Sequence, residues 1–313
     1  MLETIQRESL ISFPMLGNLT IDPPASFTVL GREIYFYGVF VGLGFLLGTL
    51  AAARRAPRFG LKEDDVYDIL LWLIPCSILG ARLYYVGFRL DYYLQHLSEF
   101  FAVWNGGLAI YGGVIAGVLV VCLVARRKKL PVGAILDTFS VPLLIGQIIG
   151  RWGNFMNREA FGAETGVFCR MGLTAPNGTT IYVHPTFLYE SLWNVGVLLF
   201  LLCFEKRGKR RFDGQLITLY FLLYGAGRFW IEGLRTDSLY IGSTGIRVSQ
   251  ALSLLLALGA AALLLIKKKR GFKPEDLYVN RIHAPVVILT AEDGAAKAAE
   301  AQASGSSTET EGT

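Results

Sequence analysis

Cysteine and histidine are scarce in this sequence, with four Cys and three His among 313 residues. No Cys-x-x-Cys pair and no metal-ligand spacing occurs, which excludes a disulfide framework and a structural zinc site as organising principles. Cys76, Cys122 and Cys203 fall inside long apolar runs, and Cys169, outside every motif, reads as a loop cysteine. A leader with a sustained apolar core is also missing from residues 1–30, which instead contain Asp22-Pro23-Pro24, so the first apolar run is expected to act as its own targeting signal.

What the chain has in quantity is hydrophobic length. It is 53% hydrophobic, with a mean hydropathy of +0.45, and its apolar residues come in blocks of about the 20 needed to cross hydrocarbon. Backbone groups cannot stay unpaired in lipid, so the expected fold class is all-α, a polytopic integral membrane protein. Seven spans are expected: Ile34 to Ala53, Tyr67 to Phe88, Leu108 to Ala125, Gly133 to Trp152, Thr186 to Phe204, Gly214 to Glu232, and Ile246 to Ile266.

Basic residues set the expected orientation. Arg54, Arg55, Arg58 and Lys62 follow the first span, Arg126 to Lys129 the third, Lys206 to Arg211 the fifth, and Lys267 to Arg270 the last. Those loops are assigned to the cytoplasm, which places the amino terminus outside and the carboxyl terminus inside. The net charge of +5 then reflects membrane topology and anionic headgroups, and nucleic acid is not an expected partner. The expected organisation is an extracytoplasmic arm over residues 1–30, a seven-helix domain over 31–270, and a cytoplasmic tail over 271–313. From about Ala291 the tail is too poor in apolar residues to fold alone and is expected to be disordered.

Within the apolar blocks a few charged residues stand where they are expensive. Gly150-Arg151-Trp152-Gly153-Asn154-Phe155-Met156-Asn157-Arg158-Glu159 closes the fourth span. Tyr224, Arg228, Glu232 and Arg235 follow one another at steps of four, four and three, which an α-helix stacks on one face. A charge at the centre of a spanning helix costs roughly 2.5–3.5 kcal/mol on insertion scales, so each needs a partner or a polar cavity. On the expected topology five stretches converge on the outer half of the membrane: Tyr37-Gly38, Trp104 to Gly113, Arg151 to Glu159, His184 to Glu190, and Tyr224 to Arg235.

A lone interfacial arginine reads as a snorkelling side chain or as the partner of a helix neighbour, as Arg228 is to Glu232. Two arginines on two helices at one depth point instead to a shared phosphate, which planar guanidinium groups hold through paired hydrogen bonds. At that depth the phosphate is a phospholipid headgroup. Gly106, Gly107, Gly112 and Gly113 permit either close helix packing or a loop whose backbone donors face a ligand. Trp104, Trp152 and Tyr189 suit an aromatic belt. His184 precedes Pro185 at a helix entrance, as a structural histidine or a base, whereas His96 and His283 carry no motif.

Together these residues resemble the prolipoprotein diacylglyceryl transferases of bacterial plasma membranes. The family signature Gly-Arg-x-Gly-Asn-Phe-x-Asn-x-Glu is matched by Gly150, Arg151, Gly153, Asn154, Phe155, Asn157 and Glu159. It is joined in order by Tyr37-Gly38, the two glycine pairs, His184-Pro185 with Tyr189-Glu190, and Tyr224-Gly225 with Arg228-Phe229, Glu232 and Arg235. The resemblance covers roughly residues 30 to 270. It implies transfer of diacylglyceryl from phosphatidylglycerol to the lipobox cysteine thiol of a preprolipoprotein signal peptide, without metal or organic cofactor. Partners are then phosphatidylglycerol, that signal peptide and the surrounding membrane lipids.

Carried onto this chain, the resemblance makes Arg151 and Arg228 the phosphate clamp, with Glu232 and Tyr111 also in the catalytic set. Asn154, Glu159, Tyr37, Tyr224, Arg235, Gly112 and His184 form the substrate-binding surround. One position departs from the pattern: some family members place a histidine, proposed as the base, where this chain has Tyr111. A phenol of pKa about 10 is a weaker base than imidazole at neutral pH, so Tyr111 is expected to orient a substrate group while the arginine field activates the thiol. The competing class is a transporter or channel, disfavoured because the polar residues gather at one side and no inverted repeat is visible. A retinal-binding seven-helix protein is excluded by the absence of lysine between Ile246 and Ile266. Among enzymes, a different phosphatidylglycerol-dependent transferase is the remaining alternative.

Overall fold

The structure is a computed structural model that describes residues 9–282, apart from Asn18, Ile241 and Ser243. The tail expected to be disordered from about residue 291 lies outside the described residues. The chain forms long helices α1 (Phe36–Arg55), α2 (Glu63–Gly87), α3 (Ile110–Lys128), α4 (Val132–Met156), α5 (Thr186–Lys206), α6 (Gln215–Glu232) and α7 (Val248–Arg270). Six helices among the described residues are long and apolar enough to cross a membrane, with α1 continuing through a 3-10 turn to Phe59. The protein is a helical membrane protein.

The helix not among those six is α6. Its 18 residues extend about 27 Å, just short of the roughly 30 Å of hydrocarbon. Gln215, Arg228 and Glu232 dilute its apolar character. The residues that make it chemically interesting are those that lower its claim to be a span.

Several helices outrun the expected spans because hydrogen bonding continues where the apolar run stops. α2 begins at Glu63, four residues before Tyr67, since Glu63, Asp64 and Asp65 suit the positive end of a helix. Asp65 also caps it by accepting the Lys62 N–H at 2.9 Å. α3 and α7 run on through Arg126–Lys128 and Lys267–Arg270, cations that favour a helix carboxyl end. α4 reaches Met156 and so carries Arg151 and Asn154 on regular helix.

The all-α expectation needs correction, because among the described residues the arm before α1 and the segment between α4 and α5 contain six short strands. β1 (Leu10–Phe13) and β2 (Leu19–Ile21) pair with β5 (Met171–Thr174) and β6 (Thr180–Val183) in the antiparallel order β2-β1-β5-β6. β3 (Ser26–Val29) and β4 (Arg32–Tyr35) make a separate hairpin leading into α1. Runs of three or four residues are too short to show alternation beside long apolar blocks. The stretch from Asn157 to Val183 is therefore built around a β-hairpin paired to the amino-terminal arm. Arg158, 5% exposed, fixes that join by donating to the Ser9 carbonyl at 2.6 Å and pairing with Asp22.

Packing follows the order α1 on α4, α2 on α3, α5 between α4 and α6, and α6 on α7. The main core fills the space among these helices with Ile69, Ile135, Leu144, Leu201 and Leu216. A smaller core of Ile11, Met171, Leu173 and Val183 seats the sheet on Phe187 at the start of α5. Two positions show why glycine is needed at crossings. A side chain at Gly112 would strike the Gly80 carbonyl and Tyr84 of α2, and one at Gly153 would come within 2.8 Å of the Tyr37 ring. After α7 the chain turns back: the short helix Tyr278–Ile282 packs on Gly60, and Asp213 accepts the Tyr278 N–H at 2.8 Å.

Candidate active site

Glu190 lies in the second turn of α5, which starts directly after Pro185, and is 3% exposed. Three guanidinium groups meet it there. Arg151 of α4 brings Nη2 to 2.6 Å from its Oε2, Arg228 of α6 hydrogen-bonds its Oε1, and Arg235 beyond α6 stands 3.5 Å from the same oxygen. Glu232, 2% exposed, provides a second carboxylate, 2.5 Å from Arg228 and 3.9 Å from Arg235. Burial of a carboxylate without such partners would cost several kcal/mol, so the ion cluster ties α4, α5 and α6 together at one depth.

The sequence dictates this meeting in simple ways. Arg228 and Glu232 are one helical turn apart, and the chain folds back after Glu232 through Leu234 N–H to Ile231 and Arg235 N–H to Glu232 main-chain bonds, which turn Arg235 toward its own helix. Arg235 is then gripped by Asp237 through two hydrogen bonds of 2.9 and 2.6 Å, and its backbone bridges Gly162. Burial opposes the Arg235 charge, but Asp237, Glu190 and Glu232 outweigh it and raise its pKa above the ordinary arginine value.

A polar chain leads away from the cluster. Arg151 donates to Asn154 at 3.2 Å, Asn154 donates to Glu159 at 2.8 Å, and Asn157 reaches the same Glu159 oxygen at 3.4 Å. Tyr224 lies beside Arg151 and Arg228 and stacks on Tyr220, whose hydroxyl receives Gln147 at 2.7 Å. Each guanidinium has five N–H donors in a fork, more than these contacts consume, and oxygen acceptors suit all of them. Glu190 Oε2 and Glu232 Oε2 contact guanidinium groups without a hydrogen bond in line. An arginine cluster balanced by side-chain carboxylates, with donors to spare, is chemically suited to a phosphate oxyanion.

The expected site residues are not all brought together. Arg151, Arg228, Glu232, Arg235, Asn154, Glu159 and Tyr224 belong to the network described. Tyr37 packs on Gly153, on the same helix as Arg151. His184 stands one turn outside: its Nδ1 is 3.3 Å from the Tyr189 hydroxyl, which is 3.2 Å from Cys169 Sγ. Tyr111 starts α3 half-buried, and among the described residues it makes no hydrogen bond or ion pair with the arginines. Gly112 sits in the α2–α3 crossing, which accounts for it by packing.

Glu190 is the residue that sequence reasoning passed over as a site member. The signal was present, since a carboxylate inside an apolar span carries the same insertion cost that drew attention to Arg228. Among the described residues no cluster of His, Cys, Asp and Glu is arranged to hold a metal ion.

Fold and cluster define a polytopic helical membrane protein with a buried arginine–carboxylate site. Residues 24–266 match the family described as prolipoprotein diacylglyceryl transferase, and the chain belongs to that family. Curated relatives include a phosphatidylglycerol–prolipoprotein diacylglyceryl transferase of Finegoldia magna, 41% identical over 251 residues, covering 80% of this chain and 98% of the relative. The protein of that name from Clostridioides difficile is 42% identical over 253 residues, covering 80% and 98%. That from Pediococcus pentosaceus is 40% identical over 278 residues, covering 85% and 99%.

Proposed function

We propose that the chain transfers the diacylglyceryl group of phosphatidylglycerol to the thiol of a lipobox cysteine in a preprolipoprotein, the first step of bacterial lipoprotein maturation. Its relatives' names give the lipid and the protein substrate. The observation that carries the reading is the convergence of Arg151, Arg228 and Arg235 on Glu190 and Glu232.

In this reading the sulfur attacks the glyceryl carbon next to the phosphate oxygen. A C–S bond forms, the C–O bond breaks, and the electron pair leaves on the phosphate as glycerol phosphate while the thiol proton is lost. Arg151 and Arg228 hold the phosphate and stabilise the charge that grows on it, because preorganised donors in a dry site cost no reorganisation during reaction. A free cysteine of pKa about 8.5 is only slightly ionised at neutral pH, and the same cationic field favours its thiolate. Glu232 and Glu190 keep the arginines in register. Asn154, Glu159, Tyr37, Tyr224, Arg235 and His184 shape the surround, and Tyr111 with Gly112 lies on the thiol side, where the phenol orients the sulfur.

The protein then sits in the bacterial plasma membrane with seven spans including α6, amino terminus outside and carboxyl terminus in the cytoplasm. The basic ends of α1, α3, α5 and α7 support this orientation. The site faces the extracytoplasmic side and opens to lipid, so both membrane-anchored substrates arrive laterally. Residues 31–270 form the transferase domain, flanked by the arm over 1–30 and the tail over 271–313.

The test is thioether formation on a lipobox peptide with purified protein and phosphatidylglycerol, beside Arg151→Ala and Arg228→Ala. Product from wild type that collapses in both folded variants supports the reading. No product with any of several anionic phospholipids overturns it.

A further inference from the structure

Resting on the transferase reading, we infer that Arg247 is a positioning residue for the reaction, acting on the arginine cluster through the end of α6. Arg247 precedes α7, and its Nη1 donates to the main-chain carbonyl of Glu232, the last residue of α6. That carbonyl also receives the Arg235 N–H at 3.2 Å. One oxygen is thus the pivot of the turn that sends the Arg235 guanidinium back toward Glu190, and it belongs to the residue whose carboxylate holds Arg228.

Helix ends leave their last carbonyls without intrahelical partners, and a cation there is favoured by the helix dipole. Arg247 supplies both donor and charge, and among the described residues no ion pair joins it to a carboxylate. Its own placement is fixed by three contacts to Tyr240. Its backbone bridges Tyr240, its Nε lies 3.4 Å from the Tyr240 hydroxyl, and its guanidinium stands 5.9 Å from that ring. One turn further along α7, Gln250 donates to the Phe229 carbonyl at 3.1 Å. The start of α7 therefore holds the end of α6 at two carbonyls three residues apart, with Arg247 gripping the one at the reactive cluster. Displacing a phosphate-binding group by about 1 Å is enough to slow a reaction by as much as 10²-fold without contact to substrate.

The experiment is steady-state thioether formation by full-length wild type, Arg247→Ala and Arg247→Lys with phosphatidylglycerol and a lipobox peptide, each preparation's melting temperature being recorded. Arg247→Ala is expected to lower kcat about tenfold with KM for phosphatidylglycerol within about twofold, and Arg247→Lys to restore most of the rate. A rate within about twofold of wild type in Arg247→Ala overturns the inference. So does a loss matched by lost folded protein and not rescued by lysine, or a rise in KM alone, which marks direct lipid binding. Wild type without product overturns the transferase reading and this inference with it, whereas active wild type with an equally active Arg247→Ala overturns this inference alone.

Discussion

Arg82 and Arg228 are both withdrawn from solvent, and they are held in opposite ways. Arg82, 2% exposed, donates to the carbonyls of Glu99, Phe100, Gly106 and Gly107 at 2.6–3.1 Å and stacks on Tyr93. Among the described residues it has no carboxylate partner. Its acceptors are fixed in the loop before α3, so no ligand can replace them unless that loop comes apart. Arg228 meets carboxylates at the ends of rotatable side chains, from its own helix and from α5. Those oxygens can be exchanged for the oxygens of a phosphate. The acceptor, more than the burial, separates an arginine that builds the scaffold from one that serves a site.

The largest expected effect lies on the site side of that contrast. Arg228→Ala should reduce thioether formation about 10³-fold per folded molecule, as removal of a preorganised oxyanion donor does, and also lower the melting temperature, because Glu232 stays buried without its nearest partner. Arg82→Ala should act on stability alone, costing about 3 kcal/mol because four carbonyls of the loop before α3 lose their donor, with activity per folded molecule retained. Thermal unfolding beside turnover measures both, and an Arg82→Ala protein that stays fully folded but inactive would break the comparison. Arg151→Lys keeps the charge but not the planar fork and should lose about tenfold in turnover, a smaller loss than alanine gives. The smallest change is expected for Tyr111→Phe, a few-fold fall in kcat for the peptide thiol; full turnover would remove the orienting role assigned to that phenol.

Much of this was legible in sequence because the membrane simplifies the code. Each apolar block had to be a helix, and Arg151, Arg228 and Glu232 stood out because charge is costly there. Helix ends were less legible, since Glu63, Lys128 and Arg270 continue helices past the point where hydropathy falls. The strands were missed because each is only three or four residues long and the sheet is joined through β1 and β5 across more than 150 residues of chain, Leu10 with Thr174 being one partner pair. Local propensity says little about so distant a partner. Glu190 lay in view between Tyr189 and Ser191, but nothing along the chain says that three arginines from other segments point at it.

The sequence by itself determined that the chain is a bundle of membrane helices, where its basic loops lie, and which side chains are too polar for their surroundings. Those properties are additive along the chain, set by transfer free energies and helical spacing. Only the tertiary structure decided that Arg151, Arg228 and Arg235 share two carboxylates, that Tyr111 stands apart from them, and that Arg247 grips the end of α6. Partnership between charges on different helices depends on crossing geometry and distance, and no pattern within one segment contains either.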